Sequence, residues 1–239
     1  ITSADNGYTW SSPRRLELPL LGPIKNKPIQ LADGTLISGS SDERHGWRAH
    51  IERSTDKGHT WEFIGPLNDG KKIAAIQPAF LQHGGDTIQV LCRTNGKNGN
   101  NRIVQAWSYD AGKSWSEMTE TTLPNNNSGI DAVTLRDGRH LLIYNHSTRN
   151  QENMGHKGRG VINWEAALVL DYIDQPEKQY SYPSMIQTAD GLVHIVYTWH
   201  RQRIKHVVVD PQKLETYPII DGVWPTDKVP FVMSPVDAL

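Results

Sequence analysis

The sequence of 239 residues contains a single cysteine, Cys92. That excludes an internal disulfide framework and a zinc site built on several thiolates. Set in Ile88-Gln89-Val90-Leu91-Cys92, the thiol reads as a buried, inert core residue rather than a nucleophile. An excess of one charge is also missing, because 25 Lys and Arg face 26 Asp and Glu for a net charge of −1. Nucleic-acid modules carry a basic excess that releases counterions from phosphate, and neither that excess nor a basic stripe occurs here. No apolar run approaches the ~18 residues of a membrane span. Ile1 begins in a polar turn without a charged-then-apolar leader; if a leader is removed, a secreted or periplasmic location is favoured. The histidine pairs His45 and His50, and His200 and His206, lack an established zinc spacing, so neither a metal nor a cofactor is expected. Sustained helical periodicity is almost absent, and the length suffices for one sizeable core.

What is present is a repeat. Ser3-Ala4-Asp5-Asn6-Gly7-Tyr8-Thr9-Trp10 recurs as Ser54-Thr55-Asp56-Lys57-Gly58-His59-Thr60-Trp61 and Ser108-Tyr109-Asp110-Ala111-Gly112-Lys113-Ser114-Trp115, at spacings of 51 and 54 residues. A second pattern, an apolar strand closed by Asp-Gly, falls at Asp33-Gly34, Asp137-Gly138 and Asp190-Gly191, with a weaker Gly85-Asp86 between. Periods of this size mean blades or solenoid units. Between these marks lie short strands rich in Val, Ile, Leu, Thr and Tyr. The chain therefore reads as all-β, one domain over 1–239, built of four-stranded units arranged as a β-propeller. In the recurring hairpin the Asp carboxylate accepts backbone N–H bonds, Gly takes positive φ and Trp packs between sheets. A fourth copy is degenerate, reduced to Gly160-Val161-Ile162-Asn163-Trp164.

Three such Asp boxes on a 50-odd-residue repeat resemble the sialidase (neuraminidase) superfamily of BNR repeat proteins. The segments Gly22 to Pro28, Ile76-Gln77-Pro78, Leu123 to Asp131, Tyr180-Ser181-Tyr182-Pro183 and Tyr197 to Arg201 look like its bacterial predicted-neuraminidase branch. The resemblance implies a six-bladed propeller, with about one and a half blades absent before Ile1. It also implies exo-hydrolysis of a terminal acidic sugar from a glycan or oligosaccharide.

Strand alternation puts the Asp-Gly turns and Asp boxes on one face, so the starts of first strands and the connections between second and third strands lie on the other. That second face collects Lys25, Asn26, Lys27, Glu43, Gln77, Arg93, Asn127, Asp131, His146, Arg149, Tyr180, Tyr182, Trp199, His200, Arg201 and Arg203. Guanidinium groups hold carboxylates in bidentate geometry, and Trp199 offers a stacking surface for a sugar. By the resemblance, Tyr182 is the nucleophile and Arg93, Arg149 and Arg201 bind the carboxylate, with Lys27, Glu43, Gln77, Asn127, Tyr180 and Trp199 contacting substrate. The position of the glutamate that would activate the tyrosine is Gly129, leaving Asp131 as the neighbouring candidate base. His146 and His200 suit proton transfer by their ordinary pKa. They support an alternative, a polysaccharide lyase acting on uronic-acid glycans. A non-catalytic glycan-binding propeller is the reading from a different class.

Overall fold

The computed structural model describes residues 1–17, 19–97, 99, 101–147, 164–171 and 179–231. After an extended N-terminal run, β1 (Ile29–Gln30), β2 (Leu36–Asp42), β3 (Arg48–Ser54) and β4 (Glu62–Ile64) form an antiparallel sheet in chain order. The pattern repeats in β5 (Ala75–Gln82), β6 (Ile88–Thr94), β7 (Arg102–Ser108) and β8 (Thr119–Pro124). A two-stranded sheet follows, β9 (Asp131–Thr134) with β10 (His140–Ile143), and β11 (Glu165–Ala166) pairs later with β15 (Tyr217–Pro218). The last large sheet is β12 (Tyr180–Gln187), β13 (Val193–Trp199) and β14 (Arg203–Val209). A 3-10 turn at Pro211–Lys213 is the sole helical element among the described residues, and no helix there is long and apolar enough to cross a membrane. The expected four strands per unit hold in the first two sheets; of the degenerate hairpin at 160–164, only Trp164 lies within the described residues.

The sheets pack in chain order, β2 and β3 on β5, β5 on β9, and β9 on β12, as propeller-like blades. Burial follows that order. β5 and β6 are buried almost throughout, since a sheet lies on each side of them. On β14, Ile204, His206 and Val208 alternate outward to solvent. Three apolar clusters fill the gaps between sheets. Ile37, Ile51, Phe80, Ile88 and Val90 join the first two; Leu81, Leu91, Ile103, Leu123 and Ile130 join the second and third; Leu135, Met185, Val193 and Ile195 join the third and fourth. Each fully buried aliphatic side chain contributes about 1.5–3 kcal/mol. Cys92 is wholly buried in the first cluster, and burial pushes its thiol pKa up, as an inert core residue requires.

The Asp boxes are hydrogen-bonded turns. Asp56 accepts from the Ser54 hydroxyl at 2.8 Å, the Thr60 N–H at 2.8 Å and the Thr60 hydroxyl at 2.6 Å, while the Trp61 indole donates to the Gly58 carbonyl at 3.2 Å. Asp5 and Asp110 repeat this pattern. The turn needs two successive left-handed residues, and φ is positive at Asn6-Gly7, Lys57-Gly58 and Ala111-Gly112. Trp115 packs on the first cluster, whereas Trp10 is 59% exposed.

Candidate functional site

The site is built on breaks in the innermost strands. β5 contains Gln77-Pro78 and β12 contains Tyr182-Pro183, and the register of each strand slips at that dipeptide. Proline has no N–H for the ladder, and a bulge re-aims the neighbouring side chain. Gln77 and Tyr182 accordingly take left-handed φ values of 61° and 51°, as does Asn127 at 71° in the connection to β9. Lys27-Pro28 holds the same place just ahead of β1. Repeated backbone strain at one point of successive blades is a recurrent mark of functional sites.

Arg93, near the end of β6, lies across the ladder from Ile76. Its guanidinium sits 5.0 Å from the Trp47 ring centroid and 6.0 Å from that of Tyr182. The residue is only 9% exposed, its Nε has no hydrogen-bond partner, and it forms no ion pair among the described residues. Leaving a buried cation uncompensated costs several kcal/mol, and no carboxylate among the described residues pairs with this guanidinium. Trp47 was not foreseen from the sequence. Its place between the second and third strands of its blade, on the face assigned to function, was the available signal.

Lys25, Asn26 and Lys27 form a strap that reaches the third and fourth sheets. Lys25 Nζ donates to the carbonyls of Ile130 at 2.8 Å and Pro183 at 2.6 Å. Asn26 Nδ2 donates to Asp131 Oδ1 at 2.8 Å, and Lys27 Nζ to Asp131 Oδ2 at 3.0 Å. Asp131 also accepts from the Met185 N–H at 2.7 Å and is 2% exposed. Its carboxylate thus ties three sheets together, with both oxygens occupied. Desolvation lowers the Lys25 pKa to about 8, against the opposing pull of Asp131 and with help from the Lys27 and Arg93 charges. At Gly129 a Cβ would meet Lys25 Cε at 3.0 Å and Gln77 Oε1 at 3.4 Å. The space in which the resemblance implies a glutamate is taken by a lysine stem.

Four acceptors in this region are buried without partners: Asn26 Oδ1, Gln77 Oε1, Asn126 Oδ1 and Asn127 Oδ1. Buried polar atoms are paired as a rule, and these four can receive hydroxyl or amide hydrogens from a ligand. Tyr182 is 57% exposed. Nearby on β12, the Tyr180 hydroxyl meets His200 Nε2 at 2.8 Å, Trp199 stacks on His200 with centroids 3.6 Å apart, and Arg203 lies over Trp199 at 5.0 Å. His200 and Arg201 both have positive φ at the β13–β14 turn.

Other residues chosen from sequence lie apart from this group. His146 is engaged at both ring nitrogens, by the Tyr144 hydroxyl at 2.5 Å and the Gly222 carbonyl at 2.9 Å, and burial lowers its pKa to about 4. A carbonyl only accepts, so Nε2 carries the proton and Nδ1 accepts from Tyr144. Glu43 is exposed on the β2–β3 connection, and Arg149 lies outside the described residues. No cluster of three metal-ligating side chains occurs among the described residues.

Comparison with known proteins places this geometry. The chain is 25% identical to the anhydrosialidase of Macrobdella decora over 255 aligned residues, covering 91% of this chain and 32% of that protein. It is 27% identical to the sialidase of Micromonospora viridifaciens over 157 residues, covering 62% and 23% respectively. The chain therefore spans no more than about a third of these curated relatives. Among solved structures, a K499G mutant of NanB sialidase from Streptococcus pneumoniae matches with a TM-score of 0.64 at 17% identity, over 89% of this chain and 35% of that one. The intramolecular trans-sialidase of Ruminococcus gnavus, in complex with oseltamivir carboxylate, matches with 0.56 at 18% identity, over 80% and 42%. These likenesses share the fold. The BNR repeat-like domain model matches residues 1–195, and the chain belongs to that family, within the sialidase superfamily.

Proposed function

We propose that the face around Arg93 binds the carboxylate of a terminal acidic sugar, and that the protein is a sialidase-like exo-glycosidase with Tyr182 as nucleophile. The observation that carries this reading is Arg93 itself, a buried guanidinium beside the Trp47 and Tyr182 rings with no ion-pair partner among the described residues. Bidentate pairing with a carboxylate supplies the missing anion. Gln77, Asn127 and Lys27 are read as contacts to the rest of the sugar. Tyr180, Trp199 and Arg201 extend the surface, and Glu43 and Arg149 stay in the proposal as rim contacts. The full ring is proposed to have six blades, supported by the repeat length and by the outward apolar side chains Ile186, Val196, Ile204 and Val208 of the last sheet.

A phenol needs help to attack at neutral pH, because its ordinary pKa is near 10. Asp131 can provide that help only by releasing bonds to Lys27, Asn26 or Met185. This supports a second reading, a receptor that holds the sugar without cleaving it. One assay separates the two, with sialyllactose as ligand and released sugar as readout. Hydrolysis by the wild type that is lost in Tyr182→Phe, with binding retained, supports the glycosidase. Saturable binding with no release by either protein supports the receptor.

A further inference from the structure

Resting on that reading, we propose that the sugar taken at this face carries two anionic groups, a carboxylate held by Arg93 and a sulfate ester held by Lys25. The balance of charge carries the inference. Lys27 and Arg93 both act on the Lys25 charge, and Asp131 is the single carboxylate that does so among the described residues. Lys27 holds that carboxylate in a 3.0 Å ion pair, so one negative charge stands against three positive ones. Two positive charges remain, and both border the Tyr182-Pro183 dipeptide: Arg93 beside the Tyr182 ring at 6.0 Å, and Lys25 on the Pro183 carbonyl at 2.6 Å.

A lone carboxylate balances one of them. Lys25 spends two of its three N–H donors on the carbonyls of Ile130 and Pro183, and the third has no partner among the described residues. Carbonyl oxygens neutralise no charge, and desolvation outweighs the opposing pull of Asp131, which is why the Lys25 pKa falls to about 8. A sulfate monoester matches it in charge and in having spare acceptors. The substitution at Gly129 fits the same account. The absence of a side chain there makes room for the Lys25 stem, putting a cation where the resemblance implies an anion.

The test is calorimetric titration of the whole chain, below the pH at which Lys25 loses its proton, with N-acetylneuraminic acid and with a singly O-sulfated form of it. The sulfated sugar should bind about tenfold more tightly, as one added charge-assisted hydrogen bond implies. That preference should vanish in Lys25→Met and persist in Lys25→Arg, while Arg93→Met weakens both sugars. Equal affinity for the two sugars in the wild type would overturn this inference and leave the carboxylate site standing. Binding of neither would overturn the reading of the site as a whole.

Discussion

At the scale of single residues, Arg93 and Asp131 exchange the importance that sequence suggests. Asp131 reads as a candidate base because it lies two positions from Gly129, yet its partners Asn26 and Lys27 are 105 and 104 residues away. No local pattern announces such bonds, and in a strand a small offset decides which face a side chain takes. Arg93 was legible as a strand-end cation, but the absence of a counter-charge for it among the described residues is visible only in three dimensions. Replacing Arg93 by Met should weaken acidic-sugar binding by about 30-fold or more, since losing one member of a buried charge pair costs 2–5 kcal/mol; titration calorimetry measures it. Affinity should also fall as pH rises through about 8, where Lys25 is neutralised in the free protein. The effect on stability has the opposite sign. The folded protein binds fewer protons at Lys25 than the unfolded chain, whose lysine keeps its ordinary 10.5. Wild type should therefore gain stability relative to Lys25→Met as pH rises from about 8 to 10.5, which denaturant melts at several pH values would reveal.

Elements are where the sequence speaks most plainly. Each Asp box is closed by bonds between residues two to four apart, such as Ser108 to Asp110 and Ser114 to Asp110, so its pattern survives as a readable motif. The bulges at Gln77-Pro78 and Tyr182-Pro183 were readable as X-Pro steps, although their left-handed φ values were not anticipated. Hydrogen bonds from Ser114 and Ser108 lower the Asp110 pKa to about 2. A depressed carboxylate stabilises the fold above its unfolded pKa, and that contribution is lost as pH falls towards 2. Asp110→Asn should accordingly flatten the acid limb of the stability profile between about pH 4 and 2, as thermal melts would show. The approach of β2 to β5 imposes another constraint. A Cβ at Gly39 would lie 2.6 Å from Pro78 Cβ and 3.0 Å from its carbonyl oxygen. Gly39→Ala should cost about 2 kcal/mol in urea unfolding through overpacking, and should disturb the neighbouring Gln77 bulge.

In the molecule as a whole, a short strap does what no single blade can. Lys25, Asn26 and Lys27 bind the third and fourth sheets across separations of 104 to 158 residues. Removing the ammonium in Lys27→Met leaves the Asp131 carboxylate buried without its cation, at a cost of about 3 kcal/mol. Faster hydrogen exchange at the Met185 amide should accompany that loss. The repeat period made the blade order legible from sequence, because each blade packs on its neighbour and keeps its own turns. The convergence of residues from different blades was not, since periodicity fixes a face but not the partners met on it. The most direct test of the account is calorimetric titration of sialyllactose into the wild-type chain and into Arg93→Met. Saturable binding by the wild type, lost in the variant while its melt stays cooperative, is the predicted result. Equal binding by the two proteins, or none by the wild type, would contradict the assignment of this face to an acidic sugar.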